Sequence, residues 1–160
     1  MRTPRWIVSA CILVAGCMPG ADERRRIIEA AGRDDLAALG ALLQERTALD
    51  FHALDGLTPL INAARNGATG AVRLLLARGA DPNYRGDSTT TPAYWAAINC
   101  HRDAYELIAA AGGHVALPDF ARSGFSERVR RCGNAALEKA VLEAVAAEDT
   151  ANRSTRPASS

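Results

Sequence analysis

The sequence predicts an all-α solenoid of about four helix-turn-helix units, and three observations carry that expectation. The segment Thr58-Pro59-Leu60-Ile61-Asn62-Ala63-Ala64-Arg65-Asn66-Gly67 returns 33 residues later as Thr91-Pro92-Ala93-Tyr94-Trp95-Ala96-Ala97-Ile98-Asn99-Cys100. Paired alanines occur three times at that interval, as Ala30-Ala31, Ala63-Ala64 and Ala96-Ala97. Gly79-Ala80 is answered by Gly112-Gly113 at the same spacing. A fixed period of this length marks stacked supersecondary units, none of which can bury its apolar face alone.

Each element of the second unit has a local physical reason. Thr58 can cap a helix through a free amide, and Pro59 suits the first helical position, where its missing N–H costs nothing. Ala63 and Ala64 are small enough to let neighbouring helices approach closely. Gly67 ends that helix, where a left-handed residue is favoured. A second helix is expected from about Thr69 to Arg78, with Val72, Leu75 and Leu76 on one face. Gly79 closes it, and Asp81-Pro82-Asn83 begins an extended turn. The run Thr58-Pro59-Leu60, Ala63-Ala64, Asn66-Gly67, Leu74-Leu75-Leu76 and Gly79-Ala80-Asp81-Pro82-Asn83 resembles the ankyrin repeat. The resemblance implies an ankyrin-repeat solenoid that grips another protein.

Four units can be laid out, at about 22–53, 54–86, 87–118 and 119–148, within a repeat domain of 22–149. The first lacks the Thr-Pro start but keeps Ile27, Ile28, Leu36, Leu39, Leu42 and Leu43 as apolar positions. In the fourth, Arg130 falls where the other units have alanine, and Glu138 falls where the second has Val72. Polar replacements on a last unit suit a cap whose outer face meets water. The stretch 150–160 is polar and without periodicity, and is expected to lack order.

The beginning of the chain carries a different signal. Arg2 and Arg5 precede an apolar run from Trp6 to Gly16, too short to span a membrane as a helix and suited to a secretion signal. It ends in Leu13-Val14-Ala15-Gly16-Cys17, which resembles the lipobox of bacterial lipoproteins. That resemblance implies a signal peptide at 1–16, a lipid on Cys17 as the new N-terminus, and a tether at 17–21. An ordinary signal cleaved slightly later, for instance after Ala21, is the alternative. Met18 rather than Asp after the cysteine implies, on the enteric rule, the outer membrane facing the periplasm. The tether reaches roughly 15 Å when extended, which holds the first unit near the bilayer. Arg24-Arg25-Arg26 is then either a solvated helical turn or a contact for anionic headgroups.

Charge narrows the partners. Losing Arg2 and Arg5 leaves 17 basic against 18 acidic residues, so the formal charge moves from +1 to −1. No basic domain of the kind that binds nucleic acid is present, and no nucleic-acid partner is expected. The mature 144 residues make one domain, expected to be monomeric. No cofactor or metal is expected, since His52, His101 and His114 lack metal-ligand spacing. Gly124-Phe125-Ser126-Glu127-Arg128 lacks the second glycine of a nucleophile elbow. It reads as a helix start capped by Ser126, and no enzymatic activity is expected. His101 stands where ankyrin repeats commonly carry a loop-tethering histidine.

Cys100 and Cys132 remain after processing, in a compartment where pairing is permitted. Cys100 fills the slot of Gly67, and Cys132 precedes the equivalent Gly133. Stacked equivalents lie roughly 10 Å apart, whereas disulfide Cα atoms are usually within about 7 Å. The one-residue offset can close that gap, so a bond and two separate buried thiols both stay open. Arg73, Glu106 and Lys139 recur at 33-residue intervals and are expected to stack as plus, minus, plus, or to share a solvated face by coincidence.

By the ankyrin resemblance, a partner meets the loop tips and the exposed edge of the first helices. Carried over by position, these are Leu54, Asp55, Leu57, Arg65 and Asn66 in the second unit. The third offers Asp87, Ser88, Thr90, Ile98 and Asn99, with Tyr84 and Arg85 on the connecting turn. Trp95 reads as core filler. Tyr94 and Ile61 replace the histidine common in the family's Thr-Pro-Leu-His motif, which removes a turn-tethering bond and questions the rigidity of the loops. The function expected is a protein-interaction module anchored to the envelope as scaffold or accessory factor. The alternative is a periplasmic inhibitor or immunity protein that neutralises a toxin or enzyme. A small-molecule site between units would need a conspicuous apolar pocket, for which the sequence offers no sign.

Overall fold

The structure, a computed structural model, describes residues 19–43, 48–53, 56–117 and 119–155. Among them are eight helices and no strands: α1 (Ala21–Gly32), α2 (Leu36–Leu42), α3 (Pro59–Asn66), α4 (Thr69–Ala77), α5 (Pro92–Ile98), α6 (Arg102–Ala110), α7 (Asp119–Arg131) and α8 (Ala135–Thr155). They form helix pairs in chain order. The first helices α1, α3, α5 and α7 pack in one row, and α2, α4 and α6 in another. No helix among the described residues is long and apolar enough to cross a membrane.

The alanine pairs form the contact between first helices. Ala31, Ala63, Ala64, Ala96 and Ala97 have no exposed surface. Between the two rows lie Ile27, Leu39, Val72, Leu75 and Ile108, continued at the far end by Val129, Leu137 and Val141. Burial of a Leu or Ile side chain contributes about 1.5–3 kcal/mol relative to leaving it exposed.

Hydrogen bonds from side chain to backbone fix the register between units. Asn62 Nδ2 donates to the Ile28 carbonyl at 2.8 Å, joining the first two units. Asp34, itself left-handed at φ 56°, accepts from the Ala71 amide at 2.6 Å. Asn83 donates to the Gly112 carbonyl at 3.1 Å and accepts from the His114 amide at 3.0 Å. His101 Nε2 lies 3.2 Å from the Arg65 carbonyl, the tether its position implies. A Cβ on Gly67, which has φ 69°, would overlap the His101 ring, so glycine there serves both the turn and the histidine above it.

The two Thr-Pro starts differ. Thr58 caps α3, its hydroxyl accepting from the Ile61 amide at 3.0 Å. Thr91 does not cap α5. Its hydroxyl donates to the His114 carbonyl at 2.6 Å and accepts from the Ala116 amide at 3.2 Å, which pins the strap after α6. Tyr94 is 7% exposed and stacks on Phe125 with ring centroids 5.5 Å apart, so the missing histidine is replaced by packing against the fourth unit.

Three expectations need correction. Ser126 does not start a helix, because α7 is already helical from Asp119, with Gly124 inside it at φ 98°. The stack of Arg73, Glu106 and Lys139 does not form. Glu106 instead accepts from Arg102 Nε at 2.7 Å, and Lys139 faces Glu143 at 4.0 Å, since partners one turn away on the same helix are nearer. Finally, α8 runs to Thr155, past the point where order was expected to end. The polar replacements in the last unit have a joint explanation, because Arg130 Nε donates to Glu138 Oε1 at 3.1 Å. One pair thus takes the places that alanine and valine hold earlier.

Thr58→Ala is expected to cost about 1 kcal/mol, through loss of the cap alone. Thr91→Ala is expected to cost more, about 2 kcal/mol, because a buried hydroxyl leaves two backbone groups unpaired. Urea unfolding of the two variants, with Thr91→Ser as the conservative control, measures the difference.

Candidate functional site

The surface available to a partner is built by the outward positions of the first helices and by the turns that precede them. On α3, Arg65 and Asn66 are exposed. On α5, Trp95 and Ile98 are half-buried, and Asn99, which follows its last turn, is exposed. These residues share a face because inward positions of the same helices are occupied by the alanine pairs. Asn66 and Asn99 bond to their own helices, through Nδ2 to the Asn62 carbonyl at 2.8 Å and to the Trp95 carbonyl at 2.9 Å. The Arg65 guanidinium lies 5.5 Å from the Trp95 ring centroid, and Tyr94 meets the same indole edge-on at 5.7 Å. Trp95 therefore belongs to the surface on one side and to the core on the other, which corrects its reading as filler.

Cys100 and Cys132 form a disulfide with Cα atoms 5.2 Å apart. The two are not stacked equivalents. Cys132 stands in the place of Asn99, one residue before Gly133, and that offset brings it beside the left-handed Cys100, at φ 67°. The bond closes one end of the row between α5 and α7.

The turns carry a second set of polar groups. Arg85 and Asp87 are exposed, and Tyr84 and Ser88 are half-buried. His52 Nε2 lies 3.0 Å from Asp87 Oδ2. Ser88 Oγ and Thr90 Oγ1 are 2.7 Å apart. Asp50 Oδ1 accepts from the Asp81 amide at 3.0 Å. Partial burial raises the Asp50 carboxyl above the usual carboxylate range; the Asp81 amide pulls it back and the Asp81 carboxylate pushes it up again.

Residues 27–119 match the family model for ankyrin repeats, in three copies. The chain belongs to the ankyrin-repeat family. Ankyrin repeats are protein-interaction modules and typically not enzymes. A search of curated proteins finds no match to this ankyrin-repeat chain. The match stops at the start of α7, so the fourth helix pair is visible in the structure where the family pattern has lapsed.

Of the residues expected to meet a partner, Arg65, Asn66, Arg85, Asp87 and Asn99 are exposed, and Leu57, Tyr84, Ser88 and Ile98 are half-buried. Leu54 and Asp55 lie outside the described residues. Thr90 is a correction: it is 5% exposed, with its amide bonded to Ser88 Oγ at 3.1 Å, so it shapes the turn and offers little surface. Cys17 and the stretch before it also lie outside the described residues. Residues that the sequence reading missed are Arg128 and Arg131, exposed on α7. They follow Trp95 and Ile98 by 33 positions, a signal the repeat arithmetic already contained.

A cleft of about 640 Å³ opens at the head of α1, lined among others by Asp22, Arg24, Arg25, His52 and Asp87. Its charges are of both signs, which gives it no preference for one kind of ion. No group of residues able to hold a metal occurs among the described residues.

Reduction, or Cys132→Ser, is expected to lower unfolding free energy by about 4 kcal/mol, the chain-entropy effect of opening a loop of sequence separation 32. Denaturant unfolding with and without dithiothreitol measures it. Asp50 makes a smaller prediction. Its folded-state pKa is raised, so the native state keeps the proton to higher pH than the unfolded chain does. Its contribution is present at low pH and lost as pH rises through the folded value. Asp50→Asn is therefore expected to raise the melting temperature near neutrality, with the gain fading at acid pH.

Proposed function

We propose that this chain is a protein-docking module tethered to the bacterial envelope by a lipid on Cys17, acting as scaffold or accessory factor in the periplasm. The observation that carries the envelope reading is the Cys100–Cys132 disulfide, in which Cys100 is exposed to solvent. Such bonds persist in oxidising compartments and are rare in a reducing cytosol. The Leu13-Val14-Ala15-Gly16-Cys17 sequence points the same way from the other end of the chain. A rigid stack of first helices, closed by a covalent bond, presents its outward side chains at little entropic cost on binding. That preorganisation also favours the second reading, a periplasmic inhibitor or immunity protein. The two differ in affinity: an inhibitor requires a nanomolar or tighter complex, and a scaffold functions with less.

Cys17→Ser tests the anchoring. In a bacterial host the wild-type chain is expected to take up radiolabelled palmitate and to sediment with the outer membrane. The Cys17→Ser chain is expected to do neither. Palmitate-free, soluble wild-type protein would overturn the lipid anchor.

A further inference from the structure

We propose that the partner presents an acidic segment with a central apolar side chain, seated on α3, α5 and α7 between Arg65 and Arg128. The inference rests on the protein-docking reading above and assigns the chemistry of what docks.

Trp95 and Ile98 are neighbours one turn apart on α5, both half-buried, and form the apolar centre of the first-helix face. At the same offsets in the second unit stand Asn62 and Arg65, and in the fourth stand Arg128 and Arg131. The apolar pair is thus framed by arginine on both sides. Carboxylates on this face are already engaged: Glu29 pairs with Arg33 at 3.6 Å at the far end, and Glu127 pairs with Arg131 at 3.5 Å. Among the described residues, no ion pair engages Arg65 or Arg128. Arg65 is instead held over the Trp95 ring at 5.5 Å. Stacking orders a guanidinium while leaving its edge donors free, and those donors match a carboxylate in bidentate geometry. Two unneutralised arginines, Arg65 and Arg128, thus stand on either side of one apolar spot. Complementarity selects carboxylates flanking an apolar residue, the arrangement in which an aromatic–arginine centre acts as a binding hot spot.

Arginine beside tryptophan also occurs where bases of single-stranded nucleic acid stack. Here one face of the indole is covered by Arg65 and Tyr94 meets the ring edge-on, which leaves no open platform for a row of bases. The disulfide joins α5 to α7 and so holds the spacing between the apolar pair and Arg128.

The test is selection from a random peptide library displayed on phage, against the oxidised full chain in detergent. Selected peptides are then titrated by tryptophan fluorescence into wild type, Arg65→Glu, Arg128→Glu and Arg73→Glu. Arg73 is exposed on α4, in the other helix row, and controls for an equal charge change. The expected result is enrichment of Asp and Glu around an apolar residue. Affinity should fall roughly tenfold or more in Arg65→Glu and Arg128→Glu, weaken with salt, and stay unchanged in Arg73→Glu. Peptides without acidic bias, or equal binding to the Arg65→Glu and Arg128→Glu variants, overturn the proposal while leaving the docking reading intact. Competition by a single-stranded oligonucleotide or by phosphatidylglycerol vesicles, at the affinity of the peptides, also overturns it. A library that yields no binder on any surface counts against both.

Discussion

Close approach of adjacent first helices is the constraint on which the rest depends. A helix pair of this size cannot bury its apolar face by itself, so each unit is stable only against the next. Alanine at two successive positions lets α1, α3 and α5 meet nearly backbone to backbone, and none of Ala31, Ala63, Ala64, Ala96 or Ala97 retains accessible surface. A larger side chain there would push whole units apart and open the layer of Ile27, Leu39, Val72, Leu75 and Ile108 behind them. Interiors packed at crystal-like density do not absorb such a change locally.

Once the helices are close, polar groups decide register. The bonds from Asn62 to Ile28, from Asp34 to Ala71 and from Asn83 to Gly112 and His114 each cross from one unit to the next. Each is modest by itself, about 1 kcal/mol net, but a slip of one residue would leave every one of these groups unpaired. The fourth unit is held by other means. Arg130 and Glu138 form an ion pair where small or apolar residues stand earlier, Tyr94 stacks on Phe125, and the disulfide ties Cys132 to Cys100. Among the described residues this unit packs against one neighbour, the third, and the disulfide adds a covalent link to that contact.

This arrangement makes the first-helix row a stiff platform. Side chains on it, unlike those on isolated loops, have positions set by helices whose spacing is fixed. Charge is unevenly spread over it: the turns carry Asp50, Asp81 and Asp87 with Arg85, whereas the helix ridge carries Arg65 and Arg128 beside Trp95 and Ile98. A partner that spans both zones meets carboxylates on the turns and guanidinium groups on the ridge. Such a pattern sets orientation as well as affinity.

The repeat period, the helix pairs and the glycine and Thr-Pro punctuation were legible in the sequence, because each rests on interactions within one unit or on its copy in the next. Thr58 capping α3 and Gly67 ending it follow from local backbone chemistry alone. Tertiary structure decided what identical letters do in different surroundings. Thr91 repeats Thr58 yet bonds the strap after α6, since that strap passes within reach of its hydroxyl. Thr90 looked like a surface residue and is buried, Trp95 looked like core and reaches the surface, and Glu106 chose Arg102 over its counterparts one repeat away. The sequence left the Cys100–Cys132 bond open because pairing turns on a few ångströms between two turns. That distance is set by how the last unit leans on the third, which no local pattern records.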